Sequence, residues 1–212
     1  MFARLFFNKR PSKLNPRYCT ACDDFVSNTP GGTELEISML FADVRGSTTI
    51  AEKITPSAFS NLMNRFYTAA TDVMVRTDAF IDKLAGDGVI GLYVSGFAGP
   101  GHARVAVDAA VELLRATGHK TKGGPWLPVG AGVHTGVAFV GSVGSPGGIS
   151  QFTALGDSMN ITARLASLAR AGEILVSSET CAAAKLDTAQ LEERRLELKG
   201  RSEPVSAFVL TA

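Results

Sequence analysis

The sequence predicts an α+β domain with a mixed, largely antiparallel sheet flanked by helices. Segments typical of strands and helices follow one another in an irregular order, without the strict alternation that builds a parallel sheet. The pair Asp87–Gly88 lies between two strand-like segments and indicates a hairpin. Apolar residues make up 45% and charged residues 19% of the 212 residues. This composition provides enough apolar surface for a core, which excludes a disordered chain.

The first half of the chain is predicted to form a central strand, two helices and a hairpin. The strand that ends at Val44 finishes in an apolar run, as strands buried on both faces do. Pro56 suits the first turn of a helix, and Thr55 before it is a good N-cap residue. Ser47 and Thr48 are the candidate caps of a shorter helix. The predicted elements are strand Leu35–Val44, helix Ser47–Lys53, a helix from Pro56 to about Thr77, and strands Ala79–Leu84 and Val89–Val94.

The second half of the chain is predicted to add two longer helices and several strands. Apolar residues recur at helical spacing at Val105, Ala109 and Leu113. A Gly-rich stretch then separates short apolar runs, which indicates strands joined by tight turns. The predicted elements are helix Gly101–Thr117, the strand pair Pro128–His134 and Val137–Ser142, helix Gly156–Ala169, strand Glu173–Val176, helix Glu179–Ala184, and strands Leu191–Leu198 and Val205–Leu210.

Residues 1–34 are predicted to form an N-terminal arm before a single domain of residues 35–212. Pro and Gly residues interrupt this segment, and no hydrophobic periodicity is sustained in it. Its basic, Phe-rich beginning suits weak contact with an anionic membrane or another protein, and a solvated tail is the simpler alternative. Cys19 and Cys22 have the spacing of a metal-ligand pair. Two arms in a dimer would supply four thiolates to a zinc ion, and two reduced thiols are the simpler alternative.

Charge, hydropathy and cysteine content bear on partners and location. The formal net charge is +1, so no nucleic-acid partner is predicted. The longest stretch without an ionised side chain is rich in Gly and Pro, so no stable membrane insertion is expected. The start does not have the pattern of a secretory signal, and three cysteines cannot form a disulfide framework. We therefore expect a reduced, cytoplasmic protein.

Two carboxylates occupy positions where a strand end and a hairpin turn are predicted. Asp43 ends the first apolar strand, and Asp87 lies in the hairpin turn. If these carboxylates meet, they repel each other unless a cation lies between them, and hard divalent ions are the usual solution. On spacing alone, a helix cap at Asp43 and a turn former at Asp87 are the simpler interpretation.

Four motifs in order resemble those of the class III adenylate and guanylate cyclase catalytic domains. The resemblance extends over roughly residues 35–211 and implies the ferredoxin-like nucleotidyl cyclase fold. Four separate motifs in the same order are far more specific than any one of them. The motifs are Phe41-Ala42-Asp43-Val44-Arg45-Gly46-Ser47-Thr48, Lys83-Leu84-Ala85-Gly86-Asp87, the Gly-rich segment from Gly132 to Gly144, and Phe152-Thr153 followed by Gly156-Asp157, Asn160 and Arg164.

The resemblance implies a metal-dependent reaction on a nucleoside triphosphate. Asp43 and Asp87 would hold two Mg²⁺ or Mn²⁺ ions in each active site, with help from the backbone carbonyl of Val44. In the purine site, Lys83 would donate to ring N1 and Thr153 would approach the exocyclic amine. A lysine donor matches adenine N1, which accepts, and not guanine N1, which carries a proton. The Lys/Thr pair resembles the class IIIb subgroup and favours ATP.

The remaining implied residues contact the ribose and the phosphates. Asn160 would hold the ribose, and Arg164, one helical turn later, would stabilise charge on the α-phosphate. Lys199 would reach the terminal phosphates, with Arg201 as an alternative. The loop of residues 145–151 has no charged residue, whereas many relatives carry an arginine there that grips the triphosphate.

The resemblance also implies a homodimer that makes cyclic AMP and pyrophosphate from ATP. In the family, the metal aspartates come from one subunit and the purine-binding and ribose-binding residues from the other. A chain that carries both sets forms two equivalent sites in a symmetric dimer. Two alternatives stay open at this point: a guanylate cyclase, and a nucleotide-binding regulatory domain without turnover.

Overall fold

The computed structural model describes residues 31–145, 150–197 and 203–212 of the chain. These residues form one sheet with helices on both of its faces. The strands are β1 (Gly31–Val44), β2 (Phe80–Ala85), β3 (Gly88–Val94), β4 (Val129–Gly144), β5 (Ser150–Leu155), β6 (Glu173–Ser177), β7 (Glu192–Leu196) and β8 (Val205–Thr211). The helices are α1 (Ser47–Lys53), α2 (Pro56–Arg76), α3 (Ser95–Ala98), α4 (His102–Ala116), α5 (Asp157–Leu168) and α6 (Ser178–Ala183).

The sheet is antiparallel except at one junction. Its strand order is β2-β3-β1-β4-β6-β8-β7, and β5 pairs with β4 off this path. Strands β1 and β4 form the central ladder, which runs from Gly31 opposite Ser142 to Val44 opposite Val129. The only parallel pairing in the described part of the chain joins β4 to β6. Strand β1 occupies one edge of β4, so β5 and β6 both pair with the other edge of β4. Helix α5 connects β5 to β6.

Alternating residues of the central strands divide the core between the two faces of the sheet. Leu40, Ala42 and Val44 of β1 pack beneath α2 and α4, together with Phe66 and Leu113 of those helices. The opposite face of β1 carries Ile37 and Met39, and α5 covers that side of the sheet further along. We call the side that carries Ile37 and Met39 the α5 face.

The sheet curls at the end where β5 lies. Although β5 is separated from β2 by three strands, the rings of Phe80 and Phe152 pack edge to face with centroids 4.9 Å apart. The Gln151 side-chain amide also donates to the backbone carbonyl of Asp82 at 3.3 Å. The curl therefore brings β5 against β2 on the α5 face.

The predicted fold class is confirmed. Helix α2 begins at Pro56 as predicted, and the Thr55 hydroxyl accepts from Ala58 N at 3.2 Å. The β2–β3 hairpin also agrees with expectation, and Cys181 is a buried free thiol. No helix in the described ranges has both the length and the apolar character needed to cross a membrane.

Four elements differ from the prediction. The predicted strand pair 128–134 and 137–142 is wrong, because β4 continues through Gly136 as one strand of 16 residues. Gly136 lies inside this strand rather than in a turn, and a Cβ there would lie 2.7 Å from Ser158 Oγ, so the Ser158 side chain would have to shift. Strand β5 and the short helix α3 were not predicted, and β1 begins at Gly31 rather than Leu35. The cysteine pair Cys19 and Cys22 lies outside the described residues.

Candidate active site

Asp43 and Asp87 meet at the end of the central strand. Asp43 is opposite Gly88 in the β1–β3 ladder, and Asp87 lies in the hairpin turn just before Gly88. The backbone N–H of Val44 donates to the carbonyl of Asp87 at 3.0 Å and ties the turn to β1. From α2, the Tyr67 hydroxyl donates to the carbonyl of Gly86 at 2.5 Å. The turn that carries Asp87 is thus anchored on two sides.

Burial and the neighbouring Asp87 change the electrostatics of Asp43. The pKa of Asp43 is raised from 3.8 to about 6, chiefly by burial. The charge of Arg45 opposes this rise, whereas the charge of Asp87 and a hydrogen bond to it add to the rise. Two carboxylates in contact favour a bound proton or a bound cation between them.

Arg45 connects this carboxylate pair to the end of helix α5. Its guanidinium forms an ion pair with the Asp43 carboxylate and donates to the Asp43 carbonyl at 3.3 Å. The same guanidinium donates to the carbonyls of Ser167 at 3.0 Å and Ala169 at 3.4 Å. These carbonyls belong to the last turn of α5, where a positive charge is favourable. Arg45 therefore joins the end of β1 to the C-terminal end of α5.

The expected capping role of Ser47 and Thr48 is wrong. Gly46 is the N-cap of α1, with a left-handed φ of 70°, and no side chain caps the helix. A glycine adopts this conformation without strain. It turns the chain so that the Ser47 hydroxyl donates to the Asp87 carboxylate. Ser47 thus belongs to the carboxylate site.

The donor set fits a hard divalent cation. Asp43 and Asp87 supply carboxylate oxygens, and burial and the Asp87 charge both raise the pKa of Asp43, so a cation beside the pair would favour its ionised form. Among the described residues, no group of three or more His, Cys, Asp or Glu side chains is placed to hold a metal ion. Sites with two carboxylates are typical of Mg²⁺, which keeps its other positions for water and substrate phosphates.

The purine candidates lie on the two strands that the sheet curl brings together. Lys83 is opposite Ile90 on β3, whereas Asp43 is opposite Gly88, two residues away on the same strand, so both side chains lie on the α5 face. Its ammonium lies 3.1 Å from Asp82 Oδ2. Thr153 is 7% exposed, and its hydroxyl donates to the Ala154 carbonyl at 3.4 Å. The structure brings their strands together, but no hydrogen bond within the described part of the chain joins the two side chains.

Helix α5 presents Asn160 and Arg164 on its exposed side, one turn apart. The buried side of the helix packs closely on Gly132 of β4, where a Cβ would lie 2.3 Å from Ala166 N. No ion pair in the described ranges involves Arg164. Gly156 is the N-cap of α5, and Asp157 lies in the first turn, where a negative charge is favourable.

Some predicted residues fall outside the described residues, and some neighbours of the site were not predicted. Lys199, its alternative Arg201 and the centre of the uncharged loop, residues 146–149, lie outside. The contributions of Tyr67, Asp82 and Gln151 were missed. Asp82 could have been identified, because it is a carboxylate inside the apolar run of β2. Nothing in the neighbouring sequence marks Tyr67 or Gln151.

Known proteins share both the sequence and the fold of this chain. A model of the adenylate and guanylate cyclase catalytic domain matches residues 32–212. An adenylate cyclase of Anabaena cylindrica is 25% identical over 187 residues, covering 83% of this chain and 37% of that protein. The chain spans about a third of the length of the curated relatives it matches.

Two solved structures resemble the chain over most of their length. The guanylyl cyclase Cya2 is 29% identical, with a TM-score of 0.76 over 84% of this chain and 93% of that one. The adenylyl cyclase CyaB from P. aeruginosa is 26% identical, with a TM-score of 0.72 over 85% of this chain and 96% of that one. These structures share the mixed α+β architecture described above.

Proposed function

The chain belongs to the family of adenylate and guanylate cyclase catalytic domains, and we propose that it converts ATP to 3′,5′-cyclic AMP and pyrophosphate. The observation that carries the proposal is the contact between Asp43 and Asp87 at the end of β1. Reactions of nucleoside triphosphates need positive charge beside the phosphates, and a carboxylate pair is a suitable holder for it. In this proposal, the catalytic domain consists of residues 35–212 together with the first four residues of β1, 31–34, and the residues before them form an arm.

We propose that Asp43, Asp87 and the backbone carbonyl of Val44 hold two Mg²⁺ or Mn²⁺ ions. When bound, these ions make the ribose 3′-hydroxyl more acidic and neutralise the charge of the departing pyrophosphate. Arg45 and Ser47 keep the two carboxylates in place through the contacts described above. Each carboxylate accepts from one of these side chains and can also bind a cation.

Lys83 supports ATP as the substrate. In the proposed complex its ammonium donates to N1 of adenine, and Thr153 contacts the exocyclic amine. Guanine N1 carries a proton, so the same ammonium would face a donor. Asn160 orients the ribose so that the 3′-hydroxyl lies in line with the α-phosphate. Arg164 stabilises the charge that builds on that phosphate, and Lys199 contacts the terminal phosphates.

We propose that the protein acts as a homodimer with two active sites at the subunit interface. One subunit would contribute Asp43 and Asp87, and the other would contribute Lys83, Thr153, Asn160 and Arg164. The exposed position of Asn160 and Arg164 on α5 supports this arrangement, because residues that serve a partner must be accessible. A reduced, ATP-using enzyme of this kind is expected in the cytoplasm.

The test is product formation by the purified chain with Mn²⁺ and either ATP or GTP. Asp43→Ala removes a metal carboxylate, and Asp72→Ala removes an exposed carboxylate of α2 as a matched control. We expect cyclic AMP from ATP in the wild type and in the control, and loss of product in Asp43→Ala.

The same assay distinguishes the other candidate functions. Cyclic GMP as the main product would favour a guanylate cyclase, an outcome to which the likeness to Cya2 gives weight. Binding of ATP without any product, at concentrations where the dimer is shown to form, would favour a regulatory domain without turnover. Either result would reject the proposed activity.

A further inference from the structure

Strand β2 contains a bulge beside Lys83. The pairing with β3 shifts from Ile81 opposite Gly91 to Lys83 opposite Ile90, so Asp82 is an extra residue without a partner in the ladder. In a regular strand, adjacent side chains point to opposite faces. The bulge re-aims these two side chains so that the Asp82 carboxylate and the Lys83 ammonium lie 3.1 Å apart. Bulges of this kind are frequent next to active sites.

The Asp82 carboxylate is buried and incompletely satisfied. Its side chain has no exposed surface, and neither oxygen accepts a hydrogen bond from the described residues. The Lys83 ammonium is close to one oxygen but outside hydrogen-bonding angles, and the Lys83 side chain is 42% exposed. Burying a carboxylate without good donors is costly, so such a group calls for an explanation beyond stability.

The bulge is also held from the neighbouring strand. The Gln151 side-chain amide donates to the backbone carbonyl of Asp82 at 3.3 Å. Gln151 lies on β5, two residues before Thr153. The position of Asp82, and through it that of Lys83, is therefore fixed relative to the strand that carries the second purine candidate.

We infer that Asp82 is a positioning residue that holds the Lys83 ammonium where it donates to a ring acceptor of the nucleotide base. A lysine on four flexible methylenes is a poor selector unless something restricts it, and a buried charge at 3.1 Å restricts it. Selection of adenine over guanine then depends on Asp82 as well as on Lys83. The inference rests on the proposed function only in taking an adenine nucleotide as the ligand of Lys83.

The test compares ATP and GTP in Asp82→Asn, which keeps the shape of the side chain and removes its charge. We expect the KM for ATP, and the dissociation constant for ATP measured by calorimetry, to rise about tenfold. The kcat at saturating ATP should stay within about twofold, because base binding contributes equally to the ground and transition states. The kinetic constants for GTP should not change. Asp72→Asn, at an exposed α2 carboxylate, is the matched control and should behave as the wild type.

A merely structural role for Asp82 makes a different prediction. If Asp82 acts through Lys83, adding Asp82→Asn to Lys83→Met has no further effect on ATP binding. A structural role would weaken binding equally in both backgrounds and would lower kcat and the melting temperature together, and that result would overturn the inference. An unchanged ATP affinity in folded Asp82→Asn would also overturn it.

Two further arms keep the test decisive. If Asp82→Asn does not fold, Gln151→Ala loosens the bulge without touching the carboxylate. That variant should raise the ATP dissociation constant about threefold and leave GTP unaffected, and an unchanged ATP affinity would reject the inference. If the wild type makes no cyclic nucleotide but binds ATP, the proposed reaction fails, while the calorimetric comparison still decides the role of Asp82.

Discussion

Replacing Gly132 by alanine tests how closely the helix of the proposed catalytic residues is packed on the sheet. A Cβ at Gly132 would lie 2.3 Å from Ala166 N, 2.8 Å from Leu165 Cβ and 2.8 Å from the Thr162 carbonyl oxygen. Carbon atoms in good contact are about 3.5–4.0 Å apart, so α5 must move away by about 1 Å. None of these three atoms lies at the end of a flexible side chain, so rotamer changes cannot relieve the contacts.

The expected cost lies at the upper end of the range for overpacking. That range is about 1–3 kcal/mol, and we expect about 3 kcal/mol for Gly132→Ala. For a chain of this size the melting temperature should fall by about 6–12 °C. Helix α5 carries Asn160 and Arg164, and a displacement of about 1 Å at a catalytic group lowers the rate about 100-fold. We therefore expect a large fall in kcat even well below the melting temperature.

The assay combines thermal unfolding, followed by circular dichroism, with cyclic AMP formation from ATP. Gly96→Ala is the matched control, because a Cβ there meets nothing within 4 Å and the residue lies inside helix α3. It should change stability by less than about 1 kcal/mol, in the stabilising direction. Equal melting temperatures for Gly132→Ala and the wild type would refute the packing argument. A destabilised variant with full activity would refute the link to catalysis.

Three other changes have defined outcomes. An equimolar mixture of the inactive variants Asp43→Ala and Arg164→Ala should regain about a quarter of the wild-type activity. After subunit exchange, half of the dimers are mixed, and each mixed dimer has one intact site of two. No recovery of activity would contradict a site shared between subunits. Tyr67→Phe removes the bond that anchors the hairpin turn and should raise the metal concentration for half-maximal activity about fivefold, as a metal titration would show. Hydrogen bonds from Arg194 lower the pKa of Glu173 from 4.5 to about 2, so their stabilisation is present above pH 4.5 and is lost as the pH falls towards 2. Glu173→Gln should cost about 2 kcal/mol at neutral pH and flatten the acid limb of the urea-unfolding profile, and an unaltered acid limb would count against this assignment.

The parts of the fold with strong local signals could be predicted from the sequence. The apolar run before Val44, the Thr55–Pro56 start of α2 and the Asp-Gly hairpin each depend on neighbours in the chain, and each is found in the structure. These elements made a meeting of Asp43 and Asp87 possible, since a strand end and a hairpin turn can be adjacent in an antiparallel sheet, although spacing alone favoured a helix cap and a turn former.

The errors arose where a residue serves a distant partner. Gly136 suggested a turn between two strands, but it lies within the single strand β4 and packs against Ser158 of α5. Ser47 suggested a helix cap, yet its hydroxyl donates to a carboxylate 40 residues away in the sequence. The bulge at Asp82 depends on pairing with β3 and on contact with β5. Contacts of this kind leave no periodic trace in a single sequence.

The strand order has a consequence for how the domain opens in solution. β1 is paired on both sides, whereas β2 is the first strand of the described sheet order and is paired in the ladder with β3 alone. Amide protons of the central ladder are thus expected to exchange with solvent last, and those of β2 much earlier. Asp43 lies on the slowly exchanging part and Lys83 on the rapidly exchanging part. The Asp43 end of β1 therefore persists through local fluctuations that open β2, so a nucleotide bound by Lys83 should slow exchange most in β2.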